Sequence, residues 1–232
     1  MYSRLRNDVL EANLALVREG LVKMTWGNAS GIDREKGLVV IKPSGVDYAD
    51  LRPEDMTVVD LDGRVVEGTL KPSSDLATHL VLYKSFPTIG GVVHTHSEWA
   101  TSWAQACREI PCLGTTHADH FYGPVPCTRL LTPDEIGGRY EEATGWVIRE
   151  AFTILNPVEV PGVLVAEHGP FAWGASVGEA VRHAVILEEI AKMAFRTVLL
   201  GKEHPVQRAI LEKHYGRKHG PGAYYGQNQG KR

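Results

Sequence analysis

The chain has few cysteines, no long apolar run and no block of charge of one sign, and each absence argues against a class of protein. Cys107, Cys112 and Cys127 are odd in number and match no C-x-x-C spacing, so neither a disulfide framework nor a cysteine-ligated zinc site is expected. No apolar run approaches the roughly 20 residues that span a bilayer, and the first residues lack the apolar centre of a signal peptide. The net charge of −3 gives no reason to expect nucleic acid or a membrane as partner. We therefore expect a soluble, cytoplasmic protein with reduced thiols.

The distribution of apolar residues predicts one α/β domain that covers residues 1–232. Strand patterns at 38–41 and 162–165 are interleaved with helical patterns such as the one at 178–200, and no linker or repeat divides them. A Thr-Pro-Asp-Glu capping box at 132–135 predicts a single helix of roughly 20 residues that ends near Leu155. The order of elements lacks the regular rhythm of a doubly wound parallel sheet.

Two histidines follow a short apolar run that contains a glycine pair. The run 89–93 predicts a buried strand, and His94 and His96 continue from its end. Side chains two residues apart on a strand point to the same face, so the two imidazoles are expected side by side. Imidazole pairs favour zinc and its neighbours among the transition metals. The alternative interpretation is two half-exposed histidines at a strand end.

A third histidine follows a second apolar strand. Residues 162–165 predict a buried strand that delivers His168, and we expect Gly169-Pro170 to end it. If the two strands are near neighbours, His168 converges with His94 and His96. Three histidine ligands leave a coordination position for water or substrate, which is typical of a catalytic metal site. The alternative is that His168 is only a strand-end residue.

Two serines and an aspartate precede a predicted helix. The unpaired N–H groups and the positive dipole end of a helix start attract anions, and the hydroxyls of Ser73 and Ser74 add donors. Asp75 has three interpretations at this stage: a helix cap, a ligand beside the histidines, or a base near the metal.

Further ingredients of a phosphate site lie in two turns. Lys42 follows a strand and precedes the Ser44-Gly45 turn, so its charge can reach an anion there. Gly27-Asn28 offers close backbone approach and an amide within 25–31, which we expect to be a turn-rich strand edge. Each feature alone is also ordinary turn chemistry.

Two polar segments remain. Asp119 lies in the cluster 115–120, which supplies either an acid/base carboxylate or a solvated loop. The Gly-rich segment that contains His214 and Tyr225 is either a mobile terminus or a functional arm.

Taken together, these stretches resemble the class II aldolase/epimerase family, and most closely its epimerase branch. The resemblance runs from Glu11 to Gln227 and is carried by the motifs EANLAL, TWGN, IKPSGVDY, VVEG, KPSSD, GGVVHTHS, GTTHAD, FYG, PGVLV, HGPFAWG, KHY, RKHG and AYYGQ. KPSSD, HTHS and HGPFAWG in one chain are highly specific.

The resemblance implies an α/β fold with a central, largely antiparallel sheet covered by helices, and a homotetramer with active sites between subunits. It implies a divalent metal, Zn²⁺ before Mn²⁺ or Co²⁺, held by His94, His96 and His168 with Asp75. Family phosphate contacts fall on Gly27, Asn28, Lys42, Ser44, Gly45, Ser73 and Ser74. Its acid/base positions fall on Asp119 and on Tyr225, which would reach in from a neighbouring subunit along the arm 214–232. Glu141 and His214 fall on supporting positions.

The implied activity is the interconversion of the pentulose phosphates L-ribulose 5-phosphate and D-xylulose 5-phosphate in L-arabinose catabolism, by retro-aldol cleavage of C3–C4 and re-addition. The alternative enzyme is a class II sugar-phosphate aldolase, but the family's aldolases carry Glu where this chain has Asp75. A third hypothesis is an inactive scaffold module like the adducin head domain, which would lack metal ligands.

Overall fold

A computed structural model describes residues 2–201, 204–220 and 223–224. Its regular elements combine one seven-stranded sheet with eight α-helices. The helices are α1 Ser3–Arg18, α2 Leu76–Ser85, α3 Glu98–Gln105, α4 Thr115–Ala118, α5 Pro133–Gly137, α6 Tyr140–Ala151, α7 Val177–Leu199 and α8 Arg208–His219. The strands are β1 Asn28–Asp33, β2 Leu38–Ile41, β3 Thr57–Asp60, β4 Val65–Glu67, β5 Gly91–His94, β6 Gly162–Val165 and β7 Gly169–Gly174. Two short 3₁₀ turns, Tyr48–Asp50 and Pro53–Asp55, connect β2 to β3.

All strand pairs are antiparallel, in the order β4-β3-β2-β1-β5-β7-β6. The expected sheet is thereby confirmed. The stretch predicted as a strand edge instead runs into β1, which pairs with β2 on one side and β5 on the other. α1 and α7 pack closely on this strand, since a Cβ at Gly31 would lie 2.5 Å from Val177 Cγ2 and 2.9 Å from Leu5 Cδ1.

The sheet is buried on both faces, since alternate residues of one strand join different apolar clusters. Val92 packs with side chains of α2, α3 and the second half of α7, whereas Val93 packs with α1 and the first half of α7. α7 therefore contributes to both layers of the core. None of the helices among the described residues has the length and apolar character needed to cross a bilayer.

Two sequence-based predictions about chain breaks are wrong. The capping box at Thr132 forms, but the helix ends at Gly137, and α6 starts separately at Tyr140 and ends at Ala151. Two successive glycines lower helix propensity, and Gly138 adopts ψ −123°, far from a helical value. Gly169-Pro170 also does not end a strand, because it begins β7.

The glycine pair at the start of β5 is required by the close approach of α7. A Cβ atom at Gly91 would lie 2.5 Å from Cα and 2.7 Å from N of Val177, the first residue of α7. A Cβ at Gly90 would lie 2.2 Å from the carbonyl oxygen of Ala175. Since these neighbours are backbone atoms, only a shift of the helix start could make room.

We expect Gly91→Ala to lower the free energy of unfolding by about 1–3 kcal/mol, because the new methyl group overpacks a backbone contact. Urea denaturation followed by circular dichroism measures the change. Gly178→Ala is the matched control: a Cβ there meets nothing within 4 Å, so this helical site should be neutral or stabilised by less than about 1 kcal/mol. Equal destabilisation of both variants would contradict the close-approach explanation.

Candidate active site

Three histidines converge at one edge of the sheet. His94 is the last residue of β5, and His168 lies in the turn between β6 and β7. β7 stands between β5 and β6 and is antiparallel to both, so the C-terminal ends of β5 and β6 lie at the same edge. His96 lies two residues beyond His94, after the strand has ended. The predicted convergence is confirmed, although the strand that adjoins β5 is β7.

The three imidazoles are spaced for a common ligand. One nitrogen from each ring lies within 4.8 Å of the other two, and the Nε2 atoms of His94 and His96 are 3.1 Å apart. Nδ1 of His94 lies 3.0 Å from the carbonyl oxygen of Pro170, to which it donates when protonated. That hydrogen bond leaves Nε2 of His94 as the nitrogen with a free lone pair, which is the form that binds a metal. The donor set fits a Zn²⁺-like divalent ion.

Burial keeps these imidazoles neutral. It lowers the pKa of His94 to about 3, and it also lowers the pKa of His96 and of His168, with the carboxylate of Asp75 opposing the change in each case. Neutral imidazoles are ready ligands at pH 7 because no proton has to leave. Burial also disfavours the charged form of Asp75, but His94, His79 and the hydrogen bond from Asn28 lower its pKa overall.

A cavity of about 510 Å³ adjoins the histidines. It collects most of the residues that the sequence pointed to, namely Gly27, Asn28, Lys42, Ser44, Gly45, Ser73, Ser74, Asp75, His94, His96, Glu141 and His168. Thr25, Trp26, Pro43 and Tyr140 also line it and were not predicted as site residues. The volume is ample for a pentulose phosphate.

The loops 42–45 and 71–75 form one wall of the cavity and are joined by backbone hydrogen bonds. Ser44 N donates to Lys71 O at 2.9 Å, and Ser73 N donates to Lys42 O at 3.0 Å. We refer to these two loops, together with Gly27-Asn28, as the polar cradle. Ser44 and Ser74 are exposed in it, so their hydroxyls are accessible to a ligand.

Asn28 holds the side of the polar cradle that faces the histidines. Its buried Nδ2 donates to Ser73 Oγ at 3.0 Å and to Asp75 Oδ2 at 2.6 Å. Asp75 precedes α2 as the predicted cap position, but its side chain makes no capping hydrogen bond. It also lies outside the group of three close ligand nitrogens. Its position favours an electrostatic role beside the imidazoles.

Gly27 lets the backbone pass directly behind His94. It has φ +81°, and a Cβ there would lie 2.8 Å from the carbonyl oxygen of His94. The Tyr48 hydroxyl fixes this turn by hydrogen bonds to the carbonyls of Trp26 and Gly27, at 2.9 and 2.8 Å. The indole of Trp26 is left exposed at the cavity, 6.5 Å from the ring of His96.

Lys42 is more deeply buried than its sequence position indicated. Only 2% of it is exposed, its Nζ donates to Val46 O at 2.9 Å and Pro43 O at 3.3 Å, and it lies 4.8 Å from the Tyr48 ring centre. Burial lowers its pKa. Among the described residues no carboxylate lies within ion-pair distance of it. Because the ammonium group is already bound by carbonyls, its main effect on a ligand in the cavity is electrostatic.

Asp119 and His214 are not part of this cavity. Asp119 accepts hydrogen bonds from Arg217, at 2.8 and 2.9 Å, and lies 3.0 Å from Nδ1 of His214, so it attaches α8 to the end of α4. The C-terminal segment predicted as either a mobile terminus or an arm is therefore a helix docked on α4 as far as His219. Tyr225 lies outside the described residues.

Trp26 and Tyr140 line the cavity but were not predicted, and the sequence signals for the two residues differ in strength. Trp26 belongs to the TWGN motif and could have been included with Gly27 and Asn28. Tyr140 lines the cavity as the first residue of α6, which starts after the break in the predicted long helix. The Gly137-Gly138 pair was the available signal, followed by acidic residues typical of a first helical turn.

Comparison with known proteins places these features in a family. Residues 7–195 match the model of the class II aldolase and adducin N-terminal domain. An L-ribulose-5-phosphate 4-epimerase UlaF of Salmonella paratyphi C is 55% identical over 225 residues, which cover 97% of this chain and 99% of that protein. A solved L-fuculose 1-phosphate aldolase is 26% identical with a TM-score of 0.79, covering 93% of this chain and 96% of its own. A sugar-phosphate aldolase of Thermotoga maritima, 20% identical, shares the fold with a TM-score of 0.66 over 87% of this chain and 97% of its own.

We expect the docking of α8 to depend on the ionised form of Asp119. Burial opposes ionisation, but the hydrogen bonds from Arg217 and His214 and the charge of Lys218 lower the pKa of Asp119 below 3.8. A carboxylate with a lowered folded-state pKa stabilises the fold above its unfolded pKa and loses that effect as the pH falls through the folded value.

Asp119→Asn at pH 7 should therefore speed amide exchange in 208–219 by about tenfold. In the wild type, the protection that the Asp119 carboxylate gives to these amides should persist from pH 8 down to about 5. Hydrogen exchange with mass spectrometry measures both. Glu212→Gln, which removes an exposed pair with Arg208, is the control. Unchanged exchange in Asp119→Asn would show that this carboxylate does not hold α8.

Proposed function

Because the chain belongs to the class II aldolase and adducin family, we propose that it is a metal-dependent isomerase that interconverts L-ribulose 5-phosphate and D-xylulose 5-phosphate. The observation that carries the proposal is a cavity lined both by three converging imidazoles and by the polar cradle. The substrate follows from relatives that are 55% identical over nearly the whole chain and carry the name L-ribulose-5-phosphate 4-epimerase. The converging ligands argue against an inactive scaffold.

Inversion at C4 requires cleavage of a carbon–carbon bond. C4 is not adjacent to the C2 carbonyl, so removal of its hydrogen as a proton would leave an unstabilised carbanion. When the C3–C4 bond breaks instead, its electron pair stays with C3 as an enediolate, and C4 becomes the aldehyde carbon of glycolaldehyde phosphate. The C4 hydroxyl proton passes to a base. Rotation of the aldehyde and re-addition to its opposite face then gives the epimer.

His94, His96 and His168 are the residues that would hold a divalent ion, with Asp75 beside them. When bound, Zn²⁺ supplies Lewis-acid stabilisation of the negative charge that cleavage places on the C2 and C3 oxygens. Mn²⁺ and Co²⁺ accept the same imidazole donors.

The polar cradle would bind the phosphate through the hydroxyls of Ser44, Ser73 and Ser74, with close approach at Gly27 and Gly45 and the amide of Asn28 behind it. An anchored phosphate keeps the cleaved aldehyde in the cavity while its carbonyl turns. Lys42 supports this assignment because a buried cation without a carboxylate partner is costly. A phosphate dianion nearby would compensate its charge.

Asp75 supports epimerisation over aldolase activity. Its carboxylate accepts a short hydrogen bond from Asn28 and opposes the effect of burial on the pKa of His94. The side chain is therefore fixed as a negative charge. Proton transfer at C4 is then left to other groups. We assign it to Asp119 and Tyr225, one for each face of the aldehyde, with Glu141 and His214 in support.

Because Asp119 does not line the cavity of its own chain, its assigned role supposes a second copy of the chain. We propose a homotetramer in which Asp119 and the arm 214–232 of one subunit complete the cavity of its neighbour. Light scattering of the purified protein tests the tetramer.

We also propose a cytoplasmic location, because Cys107, Cys112 and Cys127 form no disulfide. A role in L-arabinose catabolism stays a prediction, since the reaction is the same whichever route supplies the substrate.

We expect purified protein to convert L-ribulose 5-phosphate into D-xylulose 5-phosphate, to lose this activity after chelation and to regain it with Zn²⁺. His96→Asn should lose bound metal and turnover together, because it removes one of three ligands. His204→Asn, an exposed histidine away from the cluster, is the matched control. Accumulation of glycolaldehyde phosphate would favour the aldolase, and full metal content in His96→Asn would refute the ligand assignment.

Tyr225→Phe should retain its metal but turn over about 10²–10⁴ times more slowly, the usual effect of losing a general acid or base. The adjacent Tyr224→Phe is the control, since Tyr224 is exposed and lies over Lys213. Steady-state kinetics with metal analysis of both variants makes the comparison. Wild-type turnover in Tyr225→Phe would remove this residue from the mechanism.

A further inference from the structure

Tyr140 is held at the wall of the cavity by the packing of α6 on α2. The break after Gly138 lets α6 start at Tyr140, and Gly145 lies so close to α2 that a Cβ there would be 2.6 Å from Cβ of Val81. The hydroxyl of Thr78, on α2, donates to the carbonyl oxygen of Glu141. The first turn of α6 is therefore fixed independently of any ligand.

The Tyr140 hydroxyl contacts one of the three histidines. Its oxygen lies 3.3 Å from Nδ1 of His168, and the two rings have centroids 6.0 Å apart with an interplanar angle of 34°. This contact involves the ring nitrogen that a neutral imidazole can use as a donor while its other nitrogen binds a metal.

His168 needs such a restraint more than His94 does. His94 is buried, stacked on Phe171 with centroids 4.2 Å apart, and bonded through Nδ1 to the carbonyl of Pro170. His168 instead sits half-exposed in a turn after Glu167, whose φ is +60°. Rotation of its ring by a half turn would place Cδ2 and Cε1 where Nδ1 and Nε2 now lie, so both nitrogens would lose their present partners.

We propose that Tyr140 is a positioning residue whose hydroxyl oxygen accepts a hydrogen bond from Nδ1–H of His168 and thereby keeps Nε2 directed at the other two imidazoles. For His168 it has the role that the carbonyl of Pro170 has for His94. Partners of this kind fix the tautomer and the orientation of a ligating histidine. The inference rests on the proposed metal role of the cluster.

The test is a titration of metal-free protein with Co²⁺, read from the visible absorption of the bound ion. Tyr140→Phe should weaken binding by about tenfold, since loss of an outer hydrogen bond to a ligand typically costs 10–100-fold in affinity. Its absorption band should also change shape, because the ligand ring is no longer fixed. Tyr2→Phe removes the hydroxyl of a tyrosine that precedes α1 and whose ring lies under Lys36, and it should leave both unchanged.

A second variant separates hydrogen bonding from packing. Tyr140→Leu removes the ring together with the hydroxyl and should weaken binding no more than Tyr140→Phe, whereas a packing role would leave Tyr140→Phe near wild type and weaken only Tyr140→Leu. Wild-type Co²⁺ affinity and spectrum in Tyr140→Phe would overturn the inference while leaving the metal site intact. A wild-type protein that binds no Co²⁺ would overturn the metal site itself.

Discussion

The antiparallel pairing of β5 with β7 is the contact on which the candidate site depends. It places His94 opposite Phe171 and brings the Pro170 carbonyl to Nδ1 of His94, so one strand both shields the imidazole and fixes its orientation. β7 also continues from the turn that carries His168, so the register of the pair sets the spacing of the two imidazoles. A slip of one residue would turn the side chains to the opposite face. The glycine pair before Val92 lets the start of α7 pack directly against this strand.

How much the sequence predicts follows from how local each signal is. The histidine pair at the end of β5, the helix start after Asp75 and the polar turns at Lys42 and Gly27 are each signalled by neighbouring residues, and the structure brings all of them to one cavity. The antiparallel sheet came from the family resemblance, because periodicity alone predicted only an α/β chain. The predictions that were wrong concerned features that depend on distant contacts or on competing local signals.

The missed features illustrate this. The capping box at Thr132 outweighed the glycine pair after it, so one long helix was predicted and Tyr140 was not seen as a cavity residue. The hairpin at His168 could not be distinguished from a strand end, because β7 is recognised only by its pairing with β6 and β5. The attachment of α8 to Asp119 joins residues about 100 positions apart, and no local pattern encodes that contact.

The placement of charge in the cavity gives the substrate a direction. Asp75 stands beside three neutral imidazoles, so that side carries negative charge and attracts a cation. Lys42 is held by the carbonyls of Pro43 and Val46 and by the ring of Tyr48, and the charge of Asp47 opposes the effect of burial on its pKa, so its positive charge favours an anion near the 42–45 turn. On the proposed function, a sugar phosphate would therefore bind with its phosphate at the serine hydroxyls of the polar cradle and its carbonyl end toward the histidines. The C3–C4 bond lies between these two ends of the substrate, so the charges that would orient the substrate would also place that bond inside the cavity.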